Sequence, residues 1–398
     1  MGNKSLPPTD KLSAQIDEAA QQCVKCGLCL PHCPTYQVAR NENESPRGRI
    51  ALAQGAVRNQ VPITQKLLYH LDTCLACRAC EAVCPAHVPY EELITSTRAW
   101  LHYKKLQKPI WLERLLLWIV EYPWLRNIFS KLAERFPKYK LQATSTKIIN
   151  PIMQNPQMAI KGHVLLLPSC GNLLFDQQLA KDAQYVLAQL GWKVTIPSPT
   201  YCCGALALHA GKLTEAQQCA EQQINQWQNI KPDYIVSLTN GCHAVMQDYT
   251  RFPLNKETPK IPLLTIEAFL LQALNANDIK LQTKPTRVIV HTPCTLRNAI
   301  RQPDITTQLL EKIAGITCIP LPANVSGCCG AAGSYFLRHA DIAEQLVSPI
   351  VKFIKENPAE AFITTNIGCA MHIQAALKKA KIDIPMQHPV HLIIKNMI

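Results

Sequence analysis

Beyond about residue 160 the chain alternates between two apolar patterns. Short runs rich in Val, Ile, Leu and Thr, such as HVLLLPSC ending at Cys170 and RVIVHTPC ending at Cys294, are bounded by Pro, Gly, Ser or Asn and read as buried parallel strands. Between them, FDQQLAKDAQYVLAQLG and LTEAQQCAEQQINQWQN space their apolar residues as helices do. This alternation predicts α/β architecture with parallel sheets. In the first hundred residues SPRGRIALAQGAV and ITQKLLYHLDTC carry helical spacing and predict two helices. The longest apolar run near the tryptophans, Leu115 to Val120, is flanked by Arg114 and Glu121. It is far short of the roughly 20 residues of a spanning helix, so no transmembrane segment is expected.

Two repeats organise these elements. Cys23-x-x-Cys26-x-x-Cys29-x-x-x-Cys33-Pro34 recurs 51 positions later, as Cys74 follows Cys23, in Cys74-x-x-Cys77-x-x-Cys80-x-x-x-Cys84-Pro85. This is the spacing of a two-cluster bacterial ferredoxin, in which three thiolates wrap one [4Fe-4S] cube and the fourth serves the other. Cys23, Cys26, Cys29 and Cys84 are assigned to one cluster, and Cys74, Cys77, Cys80 and Cys33 to the second. Zinc also takes four-cysteine sites, but two complete copies closed by Cys-Pro favour iron-sulfur clusters. Arg47 and Arg49, between the copies, either offset cluster charge or form a solvated helix start.

The second repeat aligns Cys170, Cys202-Cys203-Gly204 and Cys242 with Cys294, Cys328-Cys329-Gly330 and Cys369, each offset by between 124 and 127 positions. Two homologous half-domains follow. The cysteines fall at strand ends, where ligand groups collect in parallel sheets. Cys219 and Cys318 have no counterpart in the other copy and are expected in the core. The predicted fold is multidomain α+β: a helical two-cluster ferredoxin module over 1–98, a Trp-rich helical connector over 99–161, and two repeated α/β Cys-Cys-Gly (CCG) domains over 162–280 and 281–398.

Composition sharpens the chemistry. The chain has 398 residues and 18 cysteines, and its N-terminus lacks the apolar stretch of a signal peptide. A cytoplasmic placement, with thiols serving as metal ligands instead of disulfides, is expected. No dinucleotide or phosphate-binding glycine motif, hydrolase elbow or zinc-protease pair occurs, so no catalytic residue is assigned. The net charge of +13 admits anionic partners. Without a helix-turn-helix, finger or stacking motif, nucleic acid is not among the expected ones. The connector carries Trp100, Trp111, Trp118 and Trp124 among basic residues; Pro109 and Pro123 interrupt it and favour packing over interfacial binding.

The two cysteine runs, PRGRI between them, the paired CCG segments, PCTL at 293–296 and NIGC at 366–369 resemble the glycolate oxidase iron-sulfur subunits. The architecture is also similar to subunits of anaerobic glycerol-3-phosphate dehydrogenase, lactate utilisation systems and heterodisulfide reductase. The resemblance implies an electron-transfer subunit, inactive alone, in an oxidoreductase complex whose partner subunits carry FAD and oxidise glycolate to glyoxylate, or D-lactate in related enzymes. It implies a quinone or other membrane acceptor and a peripheral position on the inner face of the cytoplasmic membrane. The same eight cysteines are implied as ligands. The fuller CCG pattern ends in C-x-x-C, whereas here the chain reads Cys242-His-Ala-Val and Cys369-Ala-Met-His372. The CCG cysteines and His372 are therefore open between a third cluster, a zinc ion and no metal.

Overall fold

The computed structural model describes residues 9–106, 110–122, 124–126, 128–129, 160–251, 254, 257–277, 281–325 and 327–397. Residues 130–159 of the expected connector lie outside them.

The N-terminal module is helical. Helices Thr9–Gln21, Pro46–Val57, Gln65–Asp72 and Tyr90–Tyr103 surround a core that includes Ile16, Ala53, Leu71, Ile94 and Trp100. Both helices read from the inter-repeat segment are present. Ser45 caps the first, its Oγ accepting from the Gly48 N–H at 2.9 Å, with Pro46 in the first turn. Thr64 caps the second. Gly48 is sterically required, since a Cβ there would lie 2.0 Å from the Glu42 carbonyl oxygen.

The repeat appears as two four-stranded parallel sheets of identical order. Strands β1 (Gly162–Leu167), β2 (Trp192–Thr195), β3 (Tyr234–Ser237) and β4 (Leu263–Thr265) lie in the order β2-β1-β3-β4. Strands β5 (Leu281–Val290), β6 (Ile313–Pro320), β7 (Ala361–Ile363) and β8 (Met386–Gln387) lie in the order β6-β5-β7-β8. Val164 pairs with Val194 and Tyr234, as Val288 pairs with Cys318 and Ala361. One face of each sheet is common property: Val164, Leu166 and Val236 share a single core with Val288, Val290 and Ile363. The opposite faces are covered separately, Leu165 and Ile235 by Trp227, and Ile289 and Phe362 by Ile350.

Ion pairs fasten the helical module to the repeat. Arg78 meets Asp248 at 2.6 Å, and Asp72 meets Arg338 at 3.0 Å and His339 at 2.8 Å. In the connector, only part of the packing expectation holds. Trp100 is buried, but Trp111, Trp118 and Trp124 keep 75, 48 and 56% of their surface exposed. The reason lies in helix Trp111–Glu121, which turns Glu113 inward: the carboxylate accepts from Ser334 Oγ at 2.6 Å and Arg338 Nη1 at 3.0 Å.

Candidate metal centre

The cysteine loops of the helical module repeat in backbone as well as in sequence. Lys25 and Gly27 in the first run take left-handed φ of 57° and 85°; Ala76 and Arg78, 51 positions on, take 49° and 60°. These bends wrap the chain around a central space. A Cβ on Gly27 would come 2.9 Å from Arg47 Nη1. Arg78 adopts the same region with a side chain, held by Glu81 at 3.0 Å and by Asp248.

Two cavities result. One is lined by Cys23, Cys26, Cys29 and Cys84, with Cys80 also on its wall. The other is lined by Cys33, Cys74, Cys77 and Cys80. The fourth cysteine of each run thus faces the space enclosed by the other run. Walls of Val24, Ile50 and Val88 around the first cavity suit a bulky, weakly hydrated inorganic cluster. Among the described residues no three His, Cys, Asp or Glu side chains close on one point as a single bound ion requires.

The two arginines between the runs have different surroundings. Arg47 lines the first cavity, donates to the Lys25 carbonyl at 3.0 Å and pairs with Glu42 at 2.7 Å. Arg49 is buried on the wall of the second. It donates to the His70 carbonyl at 2.7 Å, Thr35 Oγ1 at 3.0 Å, Thr73 Oγ1 at 3.1 Å and the Glu44 carboxylate, and its Nη1 lies 3.9 Å from Cys33 Sγ. Burial opposes its charge, yet Cys74, Tyr90, Cys33 and Glu44 together raise its pKa above the ordinary value. Arg49 is therefore a fixed internal cation, not a solvated helix start.

The CCG cysteines also converge, within each half. Cys170 opens a helix after β1, capped by Ser169 and Asn172; Cys242 sits in the helix after β3; Cys202 and Cys203 precede Gly204. Gly204 and Gly330 take φ of 84° and 86°, and a Cβ on either would lie 2.9 Å from backbone atoms of Ala216 or Ala343. The thiols form chains of contacts. Hydrogen bonds from Cys170, Cys203 and Cys219 hold the Cys202 pKa well below its ordinary value. In the second half Cys294, Cys328, Cys329 and Cys369 are linked in that order, with the Cys329 and Cys369 sulfurs 3.1 Å apart.

Several residues stand where sequence reasoning did not put them. Cys219 is buried as expected, but its thiol contacts Cys202. The available signal was helical register, which puts Ala216 and Cys219 on the face that meets Gly204. Cys318 lies half-buried on β6 against the shared core. His372 follows Cys369 by one turn; its Nε2 lies 3.4 Å from the Ala343 carbonyl oxygen and its ring 5.9 Å from that of Phe336. Each sulfur set also has an arginine beside it. For Arg126, from the connector, burial lowers the pKa while Cys170 and Cys202 oppose the shift. For Arg297, burial again lowers it against Cys294, Cys328 and Cys77. The second set adjoins the helical module: Asn298 donates to the Cys77 carbonyl at 2.9 Å, and Cys77, Cys294 and Cys328 pack in one cluster.

Known proteins are similar to this chain in sequence. A 4Fe-4S dicluster domain model matches residues 19–88, and a cysteine-rich domain model matches twice, over 164–247 and 288–374. The chain is 27% identical over 380 residues to the glycolate oxidase iron-sulfur subunit of Escherichia coli (strain K12), covering 91% of each. It is 25% identical over 401 residues to the probable glycolate oxidase iron-sulfur subunit of Bacillus subtilis (strain 168), covering 90% of this chain and 89% of that one. Lactate utilization protein A of Geobacillus thermodenitrificans (strain NG80-2) is 26% identical over 232 residues, which are 56% of this chain and 95% of the relative. The helical module with its crossed cysteine runs is thus a 4Fe-4S dicluster domain, the twofold α/β repeat behind it is a pair of cysteine-rich domains, and the chain as a whole is similar to the glycolate oxidase iron-sulfur subunits.

Proposed function

We propose that this chain is the electron-transfer subunit of a flavin-dependent 2-hydroxyacid oxidase acting on glycolate. Cys23, Cys26, Cys29 and Cys84 hold one [4Fe-4S] cluster, and Cys74, Cys77, Cys80 and Cys33 hold the other. The observation that carries this reading is the lining of the two cavities, each by three thiols of one run and the last thiol of the other. When bound, such clusters accept and release one electron each. The chain's own residues supply the setting: Arg49 fixes a buried positive charge beside Cys33, and the Asn298 side chain pins the Cys77 loop against the second CCG half. Partner subunits bring the FAD and convert glycolate to glyoxylate, and a quinone or another membrane acceptor takes the electrons.

Glycolate is favoured over lactate by extent of match. The relatives called glycolate oxidase iron-sulfur subunits match about nine-tenths of the chain, whereas those called lactate utilization protein A match little more than half. Iron and acid-labile sulfide per chain, with EPR of the reduced protein after anaerobic purification, test the assignment. About eight irons are expected, falling to about four in Cys26→Ala or Cys77→Ala with loss of a different signal in each. About twelve would add a cluster in the cysteine-rich halves. Iron unchanged by Cys26→Ala would refute the ligand set, and a copurified flavoprotein that glycolate fails to reduce would refute the substrate.

A further inference from the structure

Helix Trp111–Glu121 and the described residues that follow it bury charged groups and expose aromatic ones. The inward side holds charge as well as Leu117 and Leu125: buried Glu113 is bonded to Ser334 and Arg338, and buried Arg126 donates to the Thr200 carbonyl. The outward side is apolar and aromatic, with Trp111, Leu115, Trp118, Trp124, Ile128 and Phe129 exposed. The Trp118 and Trp124 rings meet edge to face 6.3 Å apart, which makes the surface continuous. Of thirteen large hydrophobic side chains exposed among the described residues, nine fall between 110 and 129. A helix facing water places its polar residues outward. A concentrated patch of this kind marks contact with something other than water.

We propose that the exposed side chains of Trp111, Leu115, Trp118, Trp124, Ile128 and Phe129 form a membrane-seating surface that lies in the headgroup region of an anionic bilayer, with helix Trp111–Glu121 in the plane of the membrane. Tryptophan is the residue whose large amphipathic ring suits that depth. No described helix is long and apolar enough to cross a membrane, which leaves lying on the surface as the mode of contact. The charge is complementary. Arg114 is exposed on the same helix, Lys104 and Lys105 are exposed just before it, and the whole chain carries +13. Of the two carboxylates of this helix, Glu113 is buried in an ion pair and is turned away from the exposed face, while Glu121 stands at the helix end. Buried Arg126 of the same segment lies beside Cys170 and Cys202, but the proposal concerns the exposed face and does not depend on the electron-transfer reading.

The test is pelleting of the full chain with vesicles of phosphatidylcholine alone and with phosphatidylglycerol added, together with tryptophan emission. Binding is expected to the anionic vesicles, to weaken with salt, and to shift the emission to shorter wavelength. Trp111→Ser/Trp118→Ser/Trp124→Ser should weaken it at least about tenfold, or about 1.4 kcal/mol, with helical content and iron unchanged. Should the triple variant fail to fold, Leu115→Glu serves in its place. No binding to anionic vesicles, or equal binding by the variants, overturns the proposal. It is equally overturned if the three tryptophans are shielded from acrylamide before vesicles are added, which would mean that a second copy or residues 130–159 cover the face.

Discussion

His391 offers a quantitative test of how the two cysteine-rich halves are held together. It belongs to helix Pro389–Asn396 of the second half, and it is buried between two carboxylates of the first. Its Nδ1 lies 2.8 Å from Asp182 Oδ2 and its Nε2 3.4 Å from Asp176 Oδ2, so the ring donates from both nitrogens and is an imidazolium. Burial alone would favour the neutral ring; the hydrogen bonds and charges of Asp176 and Asp182 outweigh it and raise the pKa from 6.5 to about 9. A rise of roughly 2.5 pKa units at 1.36 kcal/mol each is about 3 kcal/mol of coupling between charge and fold. Because the folded-state pKa is the higher one, that stability is fully present below the unfolded value near 6.5 and is lost as pH rises through about 9. For a unit of this size the loss corresponds to roughly 6–12 °C in Tm. Thermal unfolding of wild type and His391→Gln, followed anaerobically from pH 6 to 10, should show a gap of that order at pH 6 that narrows toward pH 10. A gap that stays constant over the range would show that His391 is not held as a cation and would refute the reasoning.

Substitutions at Arg49 and Gly48 probe the helical module, and one at Gly327 in the second cysteine-rich half serves as a control. Arg49→Met leaves Glu44, Thr35 and Thr73 buried without their shared donor and should cost about 3–5 kcal/mol, measured by denaturant unfolding, with iron lost as the Cys33 and Cys74 loops loosen. Arg49→Lys should restore little of this, because an ammonium cannot span the same fork of partners. Gly48→Ala drives a methyl into the Glu42 carbonyl and should destabilise by about 3 kcal/mol or more. Gly327→Ala, where a Cβ meets nothing within 4 Å, should stay within about 0.5 kcal/mol in the same unfolding assay.

Spacing and periodicity are local properties, and what they encode is legible in the order of residues alone. The crossed cysteine runs, the two inter-repeat helices and the twofold strand-helix alternation all depend on residues near one another in the chain. Repetition doubles each signal, and Cys-Cys-Gly marks turns at which glycine is sterically compelled. Only the packing of distant segments decides the rest. In sequence Arg49 is open between a counter-charge to a cluster and a solvated helix start until His70, Thr73 and Glu44 close around it. Cys219 is an ordinary helical residue until its helix lies across Gly204 and brings its thiol to Cys202. Arg126 joins the first sulfur set through the fold of the connector, and the burial of Glu113 turns the tryptophans outward. The same holds for the core shared by the two halves and for the imidazolium between Asp176 and Asp182, more than 200 residues away from it in sequence. Local pattern states what each segment is; which of its faces finds a partner is set by the free energy of burying charge and apolar surface, and that is a property of the assembled chain.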